Sequence, residues 1–312
     1  MKKILLSFCL SLIVLVGLNA QTYWEMKSSG TAENLNDVFF VTSQEGWVVG
    51  ASGTILHSTD GGETWSAQTS GTSDELLSVG FFDANNGWAG GSSVLLKTTN
   101  GGSSWTEFDA GSYSDVSWLQ ILSSSLGFFK SGSNLYKTTN GGTTWTLMTS
   151  TAPSWQLCFI DENIGFEVYG QTDDGGANWF GYGSTPPAMW DAMLSCYFVD
   201  ENHGWLADGD AEGFYGGGRT FYTTDGGETW NEVVIASSSY LTEGAFFTDQ
   251  NNGCFIGRQG SLVITTDGGQ SYTKETIGTT EDLKGVYFTD VHHGWVVGNG
   301  GVILKKYSFV EI

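Results

Sequence analysis

The 312-residue chain is poor in positive charge. Twelve lysines and arginines stand against 34 acidic residues, for a net charge of −22. Only two of the twelve are arginines, Arg219 and Arg258. So sparse a basic surface excludes nucleic acid as a partner, because phosphate contacts need clustered cations, and it disfavours anionic membrane surfaces. Proline is nearly absent, with 3 residues, whereas glycine numbers 45 and aromatics make up 14%. That balance argues against disorder and suits many short strands joined by tight turns. No Ser-His-Asp pattern, phosphate-cradling glycine loop or spaced set of metal ligands is visible, so neither a metal nor a cofactor is expected.

Long apolar runs are missing beyond the first twenty residues. Within them, Lys2 and Lys3 precede an apolar run from Ile4 to Leu18, and Leu18-Asn19-Ala20 ends on a small residue. This reads as a secretory signal peptide over residues 1–20. A membrane anchor is the competing reading, although the run is short for a span. Cys9 lies inside the run and not at the cleavage point, against a lipoprotein. Cleavage after Ala20 would leave one domain, 21–312, outside the cytoplasm, periplasmic or extracellular, with no stable membrane span. Its charge would be 10 basic minus 34 acidic residues, or −24. Three cysteines remain, Cys158, Cys196 and Cys254, an odd number that leaves at least one unpaired. They read as small hydrophobes on buried strands. Pairing of Cys158 with Cys196 stays open.

Internal repetition decides the fold class. An aromatic pair, a polar turn and Gly-aromatic recur seven times: Phe39-Phe40 to Gly46-Trp47, Phe81-Phe82 to Gly87-Trp88, Ile121 to Gly127-Phe128, Phe159 to Gly165-Phe166, Tyr197-Phe198 to Gly204-Trp205, Phe246-Phe247 to Gly253-Cys254, and Tyr287-Phe288 to Gly294-Trp295. The spacing is mostly 38 to 41 residues. A second pattern, Ser58-Thr59-Asp60-Gly61-Gly62-Glu63-Thr64-Trp65, occurs six times. Its turn residue and closing aromatic are Asp60 and Trp65, Asn100 and Trp105, Asn140 and Trp145, Asp174 and Trp179, Asp225 and Trp230, Asp267 and Tyr272. Four short strands per unit, at a period near 40, predict an all-β, seven-bladed propeller. The seventh copy of the second pattern is absent, but Tyr23-Trp24 and the residues after it resemble the fourth strand that begins at Thr64-Trp65. The N-terminal strand is therefore expected to complete the last blade and to pair two open edges. In the fourth unit the stretch from Gly165-Phe166 to Trp179 is about five residues short, so a very short or poorly paired third strand is expected there.

The second pattern has a structural logic. An Asp or Asn at a turn start accepts backbone N–H groups two residues on, glycines tolerate positive φ, and the aromatic covers the hairpin base. Asn100 and Asn140 keep the acceptor and lose the charge, which argues for turn geometry and against a metal or catalytic carboxylate. These residues match the Asp-box, or BNR repeat, found in sialidases, large glucan-cleaving enzymes, sorting receptors and photosystem II assembly factors. The whole unit most resembles the last of these, the Ycf48-like propellers, from Tyr23 to Tyr307. The resemblance implies a non-enzymatic, protein-binding, assembly-factor-like scaffold, expected as a monomer. A sialidase site would need three arginines, and this chain has two. Glycan binding or two-carboxylate glycoside hydrolysis is the alternative. The arginine-rich patch with which that family engages its client has no residue-by-residue counterpart here.

Alternating chain direction puts the Asp-box turns on one face with the loops between strands one and two. The other face carries the loops between strands two and three and those between blades. The repeat's irregularities fall on that second face. They are the roughly ten-residue excess at Leu206 to Gly218, the segment Gly181 to Met193 with Pro186 and Pro187, and Arg258. Trp190, Asp208, Asp210, Glu212, Phe214, Tyr215 and Arg258 are the candidate partner-binding residues, for a protein segment or a sugar ring. A drifted loop without a ligand is the competing reading, and calcium at Asp208-Gly209-Asp210-Ala211-Glu212 is a further one. His292-His293 reads as a polar turn, with a metal site as its alternative.

Overall fold

A computed structural model describes residues 20–108, 115–153, 156–182, 193–208, 218–235, 241 and 243–310. These form seven four-stranded antiparallel sheets, each in sequential strand order. Blade 1 shows the pattern. Its inner strand is Leu35–Phe40, followed by Gly46–Gly50, Ile55–Ser58 and the outer strand Ser66–Gln68. The second strand is buried along its whole length because neighbouring blades cover both its faces, whereas the outer strand is largely exposed. Blades 2 to 6 occupy 76–107, 116–149, 158–181, 193–235 and 244–274.

Blade 7 combines Leu283–Asp290, His293–Gly298 and Val302–Val310 with the N-terminal strand Ala20–Lys27. The last pairing runs unbroken from Ala20 opposite Val310 to Lys27 opposite Ile303. Trp24 meets Phe288 edge-on at 5.9 Å and 89°, as Trp65 meets Phe40 at 5.8 Å and 86°. The closing strand thus reproduces the fourth strand of the other blades down to its aromatic. The fourth blade is complete, and its third strand is very short, as expected. Gly170–Thr172 is only three residues long, yet it pairs on both sides, with Gly165–Glu167 and Phe180–Gly181.

One arrangement recurs at the seams. The last aromatic of an inner strand lies flat against the second-strand aromatic of the preceding blade. The pairs are Phe40 on Trp295, Phe81 on Trp47, Phe159 on Phe128, Phe198 on Phe166 and Phe247 on Trp205, with ring centroids 3.5 to 3.8 Å apart. In blade 2 this places Phe81, and not Phe82, at the position of Phe40. The other face of the Phe40 ring is covered by Gly46, where a Cβ would come within 2.5 Å of the ring. The Gly-aromatic dipeptide is therefore a packing rule: glycine admits the ring within a blade, and the aromatic receives the next blade's ring. Cys158, Cys196 and Cys254 are free and buried. Cys158 Sγ accepts the Phe198 N–H at 3.3 Å, joining blade 4 to blade 5.

Glu63 fastens the closure. It accepts hydrogen bonds from Lys305 Nζ and Tyr307 Oη, both at 2.6 Å, and lies 2.9 Å from Lys27 Nζ. Lys27 first, then Lys305 and Tyr307, hold its carboxyl at about 2, below its ordinary 4.5. A carboxylate depressed in this way adds stability above its unfolded value, and that stability is lost as pH falls towards 2. Glu63→Gln is expected to flatten the decline of melting temperature between about pH 5 and pH 2. Trp24→Ala should cost about 3–5 kcal/mol in denaturant unfolding. Gly46→Ala should cost about 1–3 kcal/mol, because its methyl group meets the Phe40 ring.

Candidate functional site

The Asp-box turns and the loops between strands one and two share a face. The first turn glycine donates its N–H to the neighbouring loop in every copy: Gly61 to Gln44 at 2.7 Å, Gly101 to Asn85, Gly141 to Ser125, Gly175 to Asn163, Gly226 to Asn202 and Gly268 to Asn251. Within the turn, Asp60 Oδ1 accepts from Ser58 Oγ at 2.8 Å and from the Thr64 N–H at 2.9 Å, while Oδ2 accepts from Thr64 Oγ1 at 2.6 Å. The acceptor therefore reaches four residues on, not two, because a buried hydroxyl two residues before it takes part. Thr64 above all holds Asp60 at about 2. Asn100 and Asn140 accept the same N–H with their carbonyl and donate their amide to Ser104 and Thr144. The carboxylates of Asp174, Asp225 and Asp267 are likewise spent inside their turns. The turns also tie blades together: the carbonyls of Gly61, Gly101 and Gly268 accept the indole N–H of Trp295, Trp47 and Trp205. Asp60 and its equivalents thus spend their side-chain oxygens inside their own turns.

On the opposite face, turns after the second strand dock onto the segment entering the same blade. The Ala51 N–H donates to Asn34, Ser92 to Glu75, Gly132 to Asp115 and Asn299 to Asp282, whereas Gly260 of blade 6 donates to Glu281, which enters blade 7. Arg258 lies here. Its Nε is 3.1 Å from Glu243, which also holds Lys284 Nζ of blade 7 at 3.0 Å. Arg258 is half exposed, so its guanidinium reaches the surface while anchored. Asp208 ends the strand Gly204–Asp208, opposite Arg219 and Met193. Trp190, Asp210, Glu212, Phe214 and Tyr215 lie outside the described residues. The excess segment does fall between the second and third strands of blade 5, which end at Asp208 and begin at Gly218. His293 Nδ1 meets the Asp290 carboxylate at 2.8 Å, and His203 meets Asp200 at 2.9 Å, so both are tied into their own turns.

Two features were not read from the sequence. The inner strands surround a cavity of about 230 Å³. Along one side, Tyr197, Phe246, Tyr287 and Phe39 from four successive blades form a chain of rings with centroids 4.9 to 5.2 Å apart. Asp37, also in its wall, accepts Ser78 Oγ and the Val79 and Val38 N–H groups, and burial pushes its carboxyl up to about 6. Secondly, Lys130 stands three residues after the second-strand glycine, where the other blades carry Val49, Gly90, Val168, Ala207, Ile256 and Val297. It is 6% exposed, and burial lowers its pKa.

Comparison with known proteins follows this geometry. The family described as Photosynthesis system II assembly factor YCF48 matches residues 17–157, and the BNR/Asp-box repeat matches residues 221–232. The photosystem II stability/assembly factor HCF136 of Arabidopsis thaliana is 28% identical over 109 residues, which is 34% of this chain and 27% of that protein's length. A YCF48 structure bound to D1 peptide superposes with a TM-score of 0.74 at 20% identity, covering 93% of this chain and 99% of that one. The GH74 xyloglucanase of Xanthomonas campestris superposes with a TM-score of 0.62 at 13% identity, covering 90% of this chain and 53% of the enzyme. The resemblance to Ycf48-like Asp-box propellers holds, and the fold is shared with enzymes as well.

Lys130 generates a direct test. A lysine in a layer that is apolar in every other blade destabilises its seam unless it is kept for a purpose. Lys130→Met, which keeps the aliphatic stem, is expected to raise unfolding stability by about 1 kcal/mol or more in denaturant titration at pH 7.

Proposed function

We propose that this chain is an exported, monomeric, non-enzymatic scaffold that holds a segment of another protein on its loop face, as an assembly factor does. The observation that carries the reading is the full-length likeness to YCF48, for which a peptide complex is known, joined to the family match over 17–157. The fold by itself supports many functions, so the site must decide. Two arginines cannot build a three-arginine carboxylate clamp, and the Asp-box carboxylates are occupied within their turns. Among the described residues, no helix is long and apolar enough to cross a membrane.

The docking face in this reading is the one opposite the Asp-boxes. It carries the anchored Arg258 and the ends of the two blade 5 strands, at Asp208 and Gly218, and the sequence between them holds Asp210, Glu212, Phe214 and Tyr215. Acidic residues beside aromatics suit a partner segment that brings basic and apolar groups. The family's arginine patch is replaced here by an acidic surface, so a different client surface is implied.

Tagged full-length chain, expressed in its native host, would be recovered with its bound proteins, alongside the Trp190→Ala/Tyr215→Ala variant. N-terminal sequencing should find Gln21 first, since export requires cleavage after Ala20. One recurrent membrane or secreted protein, lost in the double variant and weakened by salt, is the expected result. Failure to enrich any protein would overturn the scaffold reading and direct attention to oligosaccharide binding and hydrolysis.

A further inference from the structure

The seam between blades 6 and 7 departs from the rule of stacked rings. Where the other second strands carry Trp47, Trp88, Phe128, Phe166, Trp205 and Trp295, blade 6 carries Cys254. The Phe288 ring of blade 7 therefore lacks the flat partner found at five other seams, and a cavity opens beside it. Its inner part, about 50 Å³, is lined by Phe246, Ile264, Thr266, Phe288, Val291 and Lys306. It shares Phe246, Thr248, Phe288 and Val291 with an outer hollow of about 440 Å³ that opens towards Asp249 and Asp290. Both lie on the Asp-box face, away from the docking face proposed above.

Lys306 stands at an unusual position. In six blades the second-strand glycine pairs with a buried hydroxyl residue that seeds the Asp-box: Gly46 with Ser58, Gly87 with Thr98, Gly127 with Thr138, Gly165 with Thr172, Gly204 with Thr223, Gly253 with Thr265. In blade 7, Trp295 pairs with Lys305, which puts Lys306 opposite Gly294. An ammonium thus takes the place of the hydroxyl in the one blade without an Asp-box. It donates to the Val291 carbonyl at 3.0 Å and lies 5.4 Å from the Phe288 ring. An ammonium has three donors, and Lys306 forms no ion pair among the described residues, so two remain for a ligand. Glu275 and Asp290 act on the Lys306 charge through space without forming an ion pair with it. Asp249 accepts from Asn251 and Asn252, and Asp290 accepts from His292 and His293.

We propose that this gap binds a small organic carboxylate, with its head on Lys306 and its apolar body in the outer hollow, against Phe246 and Phe288. The acids at the mouth repel a multiply charged phosphate more than a single carboxylate, which Lys306 can hold by direct contact. A narrow inner chamber leading to a wider one matches a two-oxygen head on a larger apolar body. The aromatic walls supply the burial that a lone charge pair lacks.

Benzoate and hexanoate would be titrated into the full chain and followed by calorimetry and NMR, with benzamide as a neutral control. Saturable binding of the acids, with a Kd on the order of 1 mM, is expected for the wild type, and no saturable binding of the amide. Lys306→Met should weaken the acids by about tenfold or more, with an unchanged melting transition. Cys254→Trp should restore the stacked ring, fill the gap and abolish binding. If that variant does not fold, Lys306→Met and Lys306→Arg carry the test, and only the arginine should retain binding. Absence of saturable binding by the wild type, or equal binding by Lys306→Met, would overturn the proposal.

Discussion

The fold rests on a phenylalanine ring held on three sides. Within its own blade the ring lies on a glycine backbone and meets the outer-strand aromatic edge-on. Across the seam it stacks flat on an aromatic of the preceding blade. Phe40, with Gly46, Trp65 and Trp295, shows the whole set. Offset-stacked and edge-to-face contacts are the favourable geometries of aromatic rings, so one residue links two strands of its blade to the next blade. Strand edges alone could not do this, since strands of neighbouring blades are not joined in one sheet. The closure repeats this stacked contact at five of the seven seams, and Trp24 supplies the outer-strand aromatic of the last blade.

The same rule makes its exceptions informative. Where Cys254 replaces the aromatic, the seam loses a stacked ring, a cavity lies beside Phe288, and Phe246, Trp24 and the Lys306 stem are near that ring. Where Ile121 replaces the phenylalanine, Trp88 turns to other rings, meeting Phe108 and Trp145 edge-on. Close packing tolerates few voids, so a small residue at a seam either draws in a neighbour or leaves space that a ligand can use.

Much of the architecture was legible in the sequence because the repeat carries it. Gly-Trp dipeptides at a regular period give the blades, and the likeness of Tyr23-Trp24 to Thr64-Trp65 gives the closure. What escaped depends on register, which a one-dimensional pattern does not carry. Asp60 looked like an acceptor for a turn two residues long; the hydroxyl of Ser58 shifts its reach to Thr64. Lys306 looked like the end of an ordinary strand, and only its pairing opposite Gly294 shows that it stands where the Asp-box hydroxyls stand. Lys130 is invisible in a strand of mixed composition until its six equivalents are aligned by the same pairing. Trp190 and Tyr215 lie in stretches of sequence that break the repeat, where periodicity offers no template.

Charge connects the fold to what it can bind. Few cations are available, and five of the twelve stitch blades together. Lys27 and Lys305 of blade 7 hold Glu63 of blade 1, Lys137 of blade 3 holds Glu162 of blade 4, and Lys284 of blade 7 holds Glu243 of blade 6. Lys97 spans blades 2 and 3 through the Gly142 carbonyl. Cations spent at seams neutralise acids there and leave the outer surface with the remaining negative charge. Such a surface slows the approach of acidic partners and favours basic ones over distances comparable to the Debye length. A propeller of this fold that spends its few cations inside its seams keeps its blades locked together and leaves negative charge on the outside.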